Sequence, residues 1–189
     1  MRYIGIDPGT SGAVSFLDTE TKEIKFFDTP TVEVRSGKKI KNQMDPVACS
    51  LLLSELARTN SLITIEKVAP MPSFKGKKEG EEPATMGVTS AFNFGMGFGM
   101  WIGICAALAI PYQLVHPVTW KKLMMADMGK EKDASRIKVM QLYPQTAKDL
   151  QRKKDHGRAD ALLMAEWARR TYVDYPTTPQ VEEREPMLF

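Results

Sequence analysis

The chain has 189 residues, 43% of them hydrophobic and 26% charged, with two cysteines and a formal net charge of +3. That length suits one domain with a substantial core, and two cysteines exclude a disulfide-built scaffold. The charge is uneven, because residues 174–189 hold Asp174, Glu182, Glu183 and Glu185 against Arg184, which leaves 25 basic against 19 acidic residues elsewhere and leans towards a polyanionic partner.

Taken in chain order, three short strands come first, at Tyr3–Ile6, Ala13–Leu17 and Ile24–Phe27. Each is rich in β-branched or aromatic residues and bounded by short turns, which predicts an antiparallel meander. Arg2 leads straight into the first strand, so no secretory leader is expected, and a cytoplasmic protein is. Asp45-Pro46 opens a helix running to about Thr59, with its cap and first-turn proline in place. Leu62–Val68 reads as a fourth strand, followed by an exposed Pro/Lys/Gly/Glu loop over 70–83. A Gly-rich helix is expected over Val88–Ala109 and a fifth strand over Tyr112–Val118. Three helices should follow, from Thr119, over about Asp133–Leu142, and over about Arg158–Thr171. Residues 1–172 then form one domain and 173–189 an acidic tail with little fixed structure. Strands followed by alternating helices and strands describe an α/β fold, a mixed five-stranded sheet with helices on both faces.

Between Pro83 and Trp120 there is no Asp, Glu, Lys or Arg, and that run is long enough to span a bilayer. Five glycines between Gly87 and Gly103 dilute it, and both flanks continue as globular sequence. The expectation is a buried helix of a protein that does not enter the membrane. Gly95, Gly99, Gly103 and Ala107 form a small stripe that would let this helix lie close to a sheet or to a partner helix. Cys49 and Cys105 stand far apart in apolar settings and read as buried small hydrophobes.

The chemistry-bearing stretch is "IGIDPGTSGAV", where Asp7 ends an apolar strand at a Gly-rich turn. Such an acid serves either a phosphate cradle for ATP, as in actin-like and sugar-kinase-like proteins, or a metal held against a nucleic-acid phosphate. The first needs a second phosphate loop, normally on a second lobe, and none is visible. The second needs more acids in the same core. Glu66 closes "LITIE", and Asp160 lies in "ADALLMA"; in both runs an acid is costly unless paired or coordinated. One buried acid is more often a cap or an ion-pair partner than a ligand. Three in apolar runs shift the balance to a metal site.

"IGIDPG", "IE" and "ADALLMA" in that order, with "SAFNFGMGFGMWIG", "HPVTWKK" and "KEKDASRIKVMQLYP" between them, resemble RuvC-type Holliday junction resolvases of the RNase H-like nuclease superfamily. The likeness covers roughly residues 1–172 and is greatest to the phage-type and chloroplast branch. It implies an RNase H-like fold and a crossover junction endodeoxyribonuclease that resolves four-way DNA junctions by paired nicks, leaving 5′-phosphate and 3′-hydroxyl ends. It further implies two Mg²⁺ ions per site, with Mn²⁺ as a substitute, held by Asp7, Glu66 and Asp160. The family's usual fourth acid falls on Gly157 here, so His156 is the candidate for that role and Asp155 the second choice. Other members of the superfamily, a transposase or an RNA-processing enzyme, would share the acids, and a non-enzymatic DNA-binding relative would not need them.

Candidate DNA contacts are Phe74 and Lys75 in the loop after Glu66, then Lys121, Lys122, Lys130, Lys132, Arg152, Lys153 and Lys154. Lys38, Lys39, Lys41, Lys77 and Lys78 form further basic clusters. A junction's approximate twofold symmetry implies a homodimer, for which the Gly-striped helix is a plausible seam.

Overall fold

In the computed structural model the described residues are 1–37, 39–57, 60–67, 87–129, 131 and 133–172. β1 (Arg2–Asp7), β2 (Ala13–Asp18) and β3 (Ile24–Asp28) form the expected antiparallel meander, with Asp7 opposite Ala13 and Ala13 opposite Asp28. The Gly12 N–H donates to the Gly9 carbonyl at 2.9 Å, and a Cβ on Gly12 would run into the Asp7 carbonyl, so the β1–β2 turn closes only with glycine there.

Next comes a hairpin that the sequence reading omits, β4 (Thr31–Ser36) paired with β5 (Lys39–Met44) as a separate two-stranded sheet. Most of its described side chains are exposed, so it has no apolar face for a pattern to reveal; Met44 alone packs into the core. α1 (Pro46–Leu56) follows, capped by Asp45, whose carboxylate accepts from the Val47 and Ala48 N–H groups at 3.0 and 3.1 Å.

β6 (Ser61–Glu66) pairs parallel with β1, and after α2 (Val88–Ala107) the short β7 (Tyr112–Val115) pairs parallel with β6. The sheet order is β3-β2-β1-β6-β7, which makes β1 the central strand. β7 stops at Val115, before the expected Val118, because His116-Pro117 opens α3 (Pro117–Met124) with proline in its first turn. α4 (Ala134–Leu142) and α5 (His156–Thr171) follow, α5 starting two residues before the expected Arg158.

Strand alternation divides the core. Ile4 and Ile6 of β1 and Ile63 and Ile65 of β6 pack with Leu53 of α1 and with Trp101 and Cys105 of α2. Tyr3 and Leu62 point the other way, onto Trp120, Val139, Leu162 and Met164 of α3, α4 and α5. Gly5 shares that second face. A Cβ there would overlap the Ala161 carbonyl, so α5 rests directly on the backbone of the central strand.

The expectation of a buried α2 needs correction. Thr89–Ala107 is long and apolar enough to cross a membrane, with mean hydropathy 1.2, yet only 22% of it is buried in the chain. Gly97, Trp101 and Cys105 face inward, while Phe92 is 69% exposed and added Cβ atoms at Gly95, Gly99 and Gly103 would meet nothing. That stripe does not pack on the sheet. The two cysteines are free and buried as expected. The loop over 70–83, with Phe74, Lys75, Lys77 and Lys78, and also Lys38, Lys130, Lys132 and the tail 173–189, lie outside the described residues.

Candidate active site

The parity that sends Tyr3 and Gly5 towards α5 sends Asp7 there too, at the end of the central strand. On β6 the same parity carries Leu62, Thr64 and Glu66. With Ile6 in register with Ile65, Asp7 and Glu66 end adjacent parallel strands on one face of the sheet. The first turns of α5 then close over them: a Cβ on Gly157 would lie 3.0 Å from Asp7 Oδ2 and 3.2 Å from both Gly12 Cα and the Ser11 carbonyl. The Ser15 hydroxyl donates to the Arg158 carbonyl at 2.9 Å, and Asp28 accepts from Arg158 Nε at 2.6 Å, which fixes the start of α5 against β2 and β3. Asp160 follows one turn further on.

Burial pushes the Asp7 carboxyl up to about 7, and the neighbouring charges of Glu66 and Asp160 add to the rise. The Gly9 N–H and His156 work against it. Burial also raises Glu66; the indole Nε1–H of Trp120 donates to its Oε1 at 3.0 Å and, with the charge of Lys121, offsets part of the shift, while Asp160 adds to it. Asp160 is raised by burial and eased by Ser135, Lys121 and His156, and its Oδ1 is a buried oxygen without a hydrogen-bond partner. The three acids therefore feel one another across a partly buried, electronegative end of the sheet.

Among the described residues, no three His, Cys, Asp or Glu side chains converge closely enough to enclose a metal ion as they stand. The donor set nevertheless fits a hard divalent cation. It offers carboxylate oxygens that desolvation and mutual repulsion leave short of counter-charge, one of them unpartnered. Mg²⁺ keeps several waters and needs only one or two carboxylates, so an open cluster suits it.

His156 is the first residue of α5 and is exposed, its Nδ1 3.2 Å from the Lys153 carbonyl. Its charge is felt by Asp7 and Asp160 alike. Asp155 stands differently. It is buried, one oxygen accepts from the Arg152 backbone N–H at 2.7 Å, and the other accepts from the Arg152 guanidinium at 2.9 and 2.7 Å. Those bonds overcome the effect of burial and hold its carboxyl below the usual range. Arg152 is correspondingly tied to Asp155 and lies 3.9 Å from Asp28.

Lys121, Lys122, Lys153 and Lys154 are exposed. Lys121 stands over the Trp120 ring at 4.9 Å and close enough to Glu66 and Asp160 to act on both. Trp120 and Ser135 are the residues that the sequence reading does not single out. Trp120 follows two apolar strand residues and a helix-opening proline, but nothing local tells that its N–H meets an acid fifty-four positions away.

No family model matches the chain. Over 70 residues it is 37% identical to the chloroplastic Holliday junction resolvase MOC1 of Chlamydomonas reinhardtii, a stretch that is 37% of this chain and 8% of that protein's length. Among solved structures, Thermus thermophilus RuvC in complex with Holliday junction substrate superposes with a TM-score of 0.52 at 14% identity, covering 90% of this chain and 96% of that one. A further Thermus thermophilus RuvC structure gives a TM-score of 0.47 at 15% identity with the same coverage. The five-stranded sheet with helices on both faces, expected from the sequence, is thus the RNase H-like fold of RuvC.

Proposed function

We propose that the chain is a structure-selective endonuclease, a crossover junction endodeoxyribonuclease that resolves four-way DNA junctions by paired nicks with 5′-phosphate and 3′-hydroxyl ends. The observation that carries this is the placement of Asp7, Glu66 and Asp160 within electrostatic reach of one another at one end of a RuvC-like sheet, each with its carboxyl raised by burial. The stretch shared with a chloroplast resolvase supports the choice of substrate. The described residues form one five-stranded sheet and a hairpin, not the two lobes that the ATP-binding alternative calls for.

Asp7, Glu66 and Asp160 would hold two Mg²⁺ ions, or Mn²⁺ in their place, and a bound pair supplies Lewis-acid stabilisation of charge in an in-line phosphodiester displacement. The chain's own residues do the rest. Trp120 fixes one Glu66 oxygen through its indole N–H and leaves the other free of that bond. Lys121 brings positive charge to where a phosphate enters. Gly157, lacking a side chain, leaves room beside Asp7 Oδ2 that a Cβ would take. His156, exposed beside two of the acids, is placed to hold or pass a proton at the nucleophile or leaving oxygen. Lys122, Lys153 and Lys154 supply phosphate contacts on the flanks, with Arg152 contributing what its bonds to Asp155 leave free.

Two nicks across a pseudo-twofold substrate call for two copies of the site, so the working form is a homodimer. The exposed apolar face of α2, with its open glycine stripe and Phe92 and Met96, is the seam this reading assigns. The deciding experiment offers labelled four-way junction, matched duplex and RNA–DNA hybrid with Mg²⁺, while sedimentation records the oligomeric state. Cleavage of the junction alone by a dimer is the expected result. Equal cutting of duplex, or full activity as a monomer, would overturn it.

A further inference from the structure

One donor at the acid cluster is a side chain that the core holds still. Trp120 is fully buried, in the same core cluster as Leu62 of β6 and Leu162 and Leu163 of α5, the two elements that carry Glu66 and Asp160. Close packing fixes the ring, and with it the indole Nε1–H, 3.0 Å from Glu66 Oε1. The Lys121 ammonium stands 4.9 Å from the centre of the same ring. A cation on the face of an indole draws electron density from it and strengthens its N–H as a donor. Glu66 therefore meets a rigid, polarised N–H on one oxygen, while Asp7 meets the backbone N–H of Gly9 and the buried Oδ1 of Asp160 meets no donor.

That asymmetry bears on how Glu66 can hold a cation. Chelation by both oxygens places the ion between them and asks equal charge of each. The N–H already neutralises part of the charge on Oε1, fixes the carboxylate plane, and sets its own positive end beside that oxygen. Oε2 is left as the better ligand, one oxygen from one acid. Divalent ions differ in whether they tolerate this. Mg²⁺ is satisfied by a tight octahedron of oxygens, waters included, whereas Ca²⁺ gathers about six to eight at longer range and often takes carboxylates through both oxygens. We infer that Trp120 is a positioning residue that decides which ion the site accepts, by confining Glu66 to single-oxygen ligation and so denying Ca²⁺ a ligand that Mg²⁺ does not need. The inference rests on the metal-dependent reading above and adds to it the source of the site's discrimination between ions.

The test uses the full chain, freed of metal, and reads binding through the rise of its unfolding temperature with added Mg²⁺ or Ca²⁺. The measured quantity is the ratio of the two apparent affinities. Trp120→Phe, which keeps an aromatic ring in the core and removes the N–H, should shift that ratio towards Ca²⁺ by about tenfold or more, the lower end of what a residue behind a metal ligand controls. Ca²⁺ should then compete with Mg²⁺ in junction nicking at a correspondingly lower concentration. A smaller ring can loosen the core, so a second variant replaces Trp120 with benzothienylalanine, which has the outline of the indole with sulfur in place of the N–H. It should give the same shift with the packing retained. A ratio that stays at the parent's value in both variants, however strongly the ions bind, would make Trp120 a packing residue and overturn the inference while leaving the nuclease reading intact. Ions that raise the unfolding temperature of Asp7→Asn as much as that of the parent would bind elsewhere, which would sink the metal reading and the inference with it.

Discussion

Asp160 and Glu166 sit on the same helix, in one unbroken run of small and apolar residues, and the fold treats their charges in opposite ways. Glu166 is 2% exposed, yet each of its oxygens is filled: Oε2 accepts from the Tyr143 hydroxyl and from Arg169 Nε, both at 2.6 Å, and Oε1 accepts from Arg169 and Arg170 at 2.7 Å. Burial alone would raise its carboxyl, but those bonds outweigh burial and hold it below the ordinary value. Asp160 keeps an unpartnered buried oxygen and a raised carboxyl. An internally neutralised acid is a structural part. An acid left raised among other acids is what the proposed metal site requires.

Three substitutions at the sheet end should break this contrast hardest. Asp7→Asn, Glu66→Gln and Asp160→Asn are each expected to lower junction cleavage by about a thousandfold or more, since several kcal/mol of charge stabilisation are at stake. Junction binding in gel shift should stay near the parent level. Near-normal nicking by any one variant would remove that residue from the site.

Next in size is the metal-free stability. A carboxyl raised in the folded state adds stability that is fully present below its unfolded value of about 4 and is lost as pH rises through about 7. Denaturation in EDTA should therefore show a loss on the order of a few kcal/mol between pH 4 and pH 8 attributable to Asp7. Asp7→Asn should flatten that slope, and added Mg²⁺ should restabilise the parent but not the variant. Glu166 carries the opposite sign. Its stabilisation is present above about pH 4.3 and disappears as pH falls through its depressed folded value. Glu166→Gln is expected to cost about 2–3 kcal/mol in urea unfolding, discounted because both arginines are partly exposed, while cleavage per folded molecule is unchanged.

The smallest effect sharpens the comparison at its edge. His156→Ala should lower turnover about tenfold with junction affinity retained, the scale of a supporting residue at a metal site. His156→Asp should recover activity and favour Mg²⁺ over Mn²⁺, because imidazole suits the softer ion. An alanine variant that nicks at the parent rate in both metals would pass the fourth role to Asp155 or to water.

Much of this was legible in the residues. Turn chemistry and alternation gave the meander, Asp45-Pro46 gave the start of α1, and acids in apolar runs marked Asp7, Glu66 and Asp160. The same signal also covers Glu166, in "LLMAEWA", and sequence could not separate the two kinds of acid, because Tyr143 reaches Glu166 from twenty-three positions away. The β4–β5 hairpin escaped for the reverse reason: it buries almost nothing, so no apolar period announces it. α2 departs from the expectation because an apolar run does not tell which of its faces the chain itself covers. Neither its inward stripe of Gly97, Trp101 and Cys105 nor its outward stripe of glycines carries a charge, so polarity does not separate them.

The contact between Gly5 and the Ala161 carbonyl has a consequence for how this chain tolerates change. Gly5 lies two residues from Asp7 and touches no acid, so a single added methyl would look harmless. It would nevertheless act as a shim, lifting α5 off the central strand and carrying Asp160 away from the two acids that stay on the sheet. The spacing of the site is thus gauged by a position that contributes no atom to it.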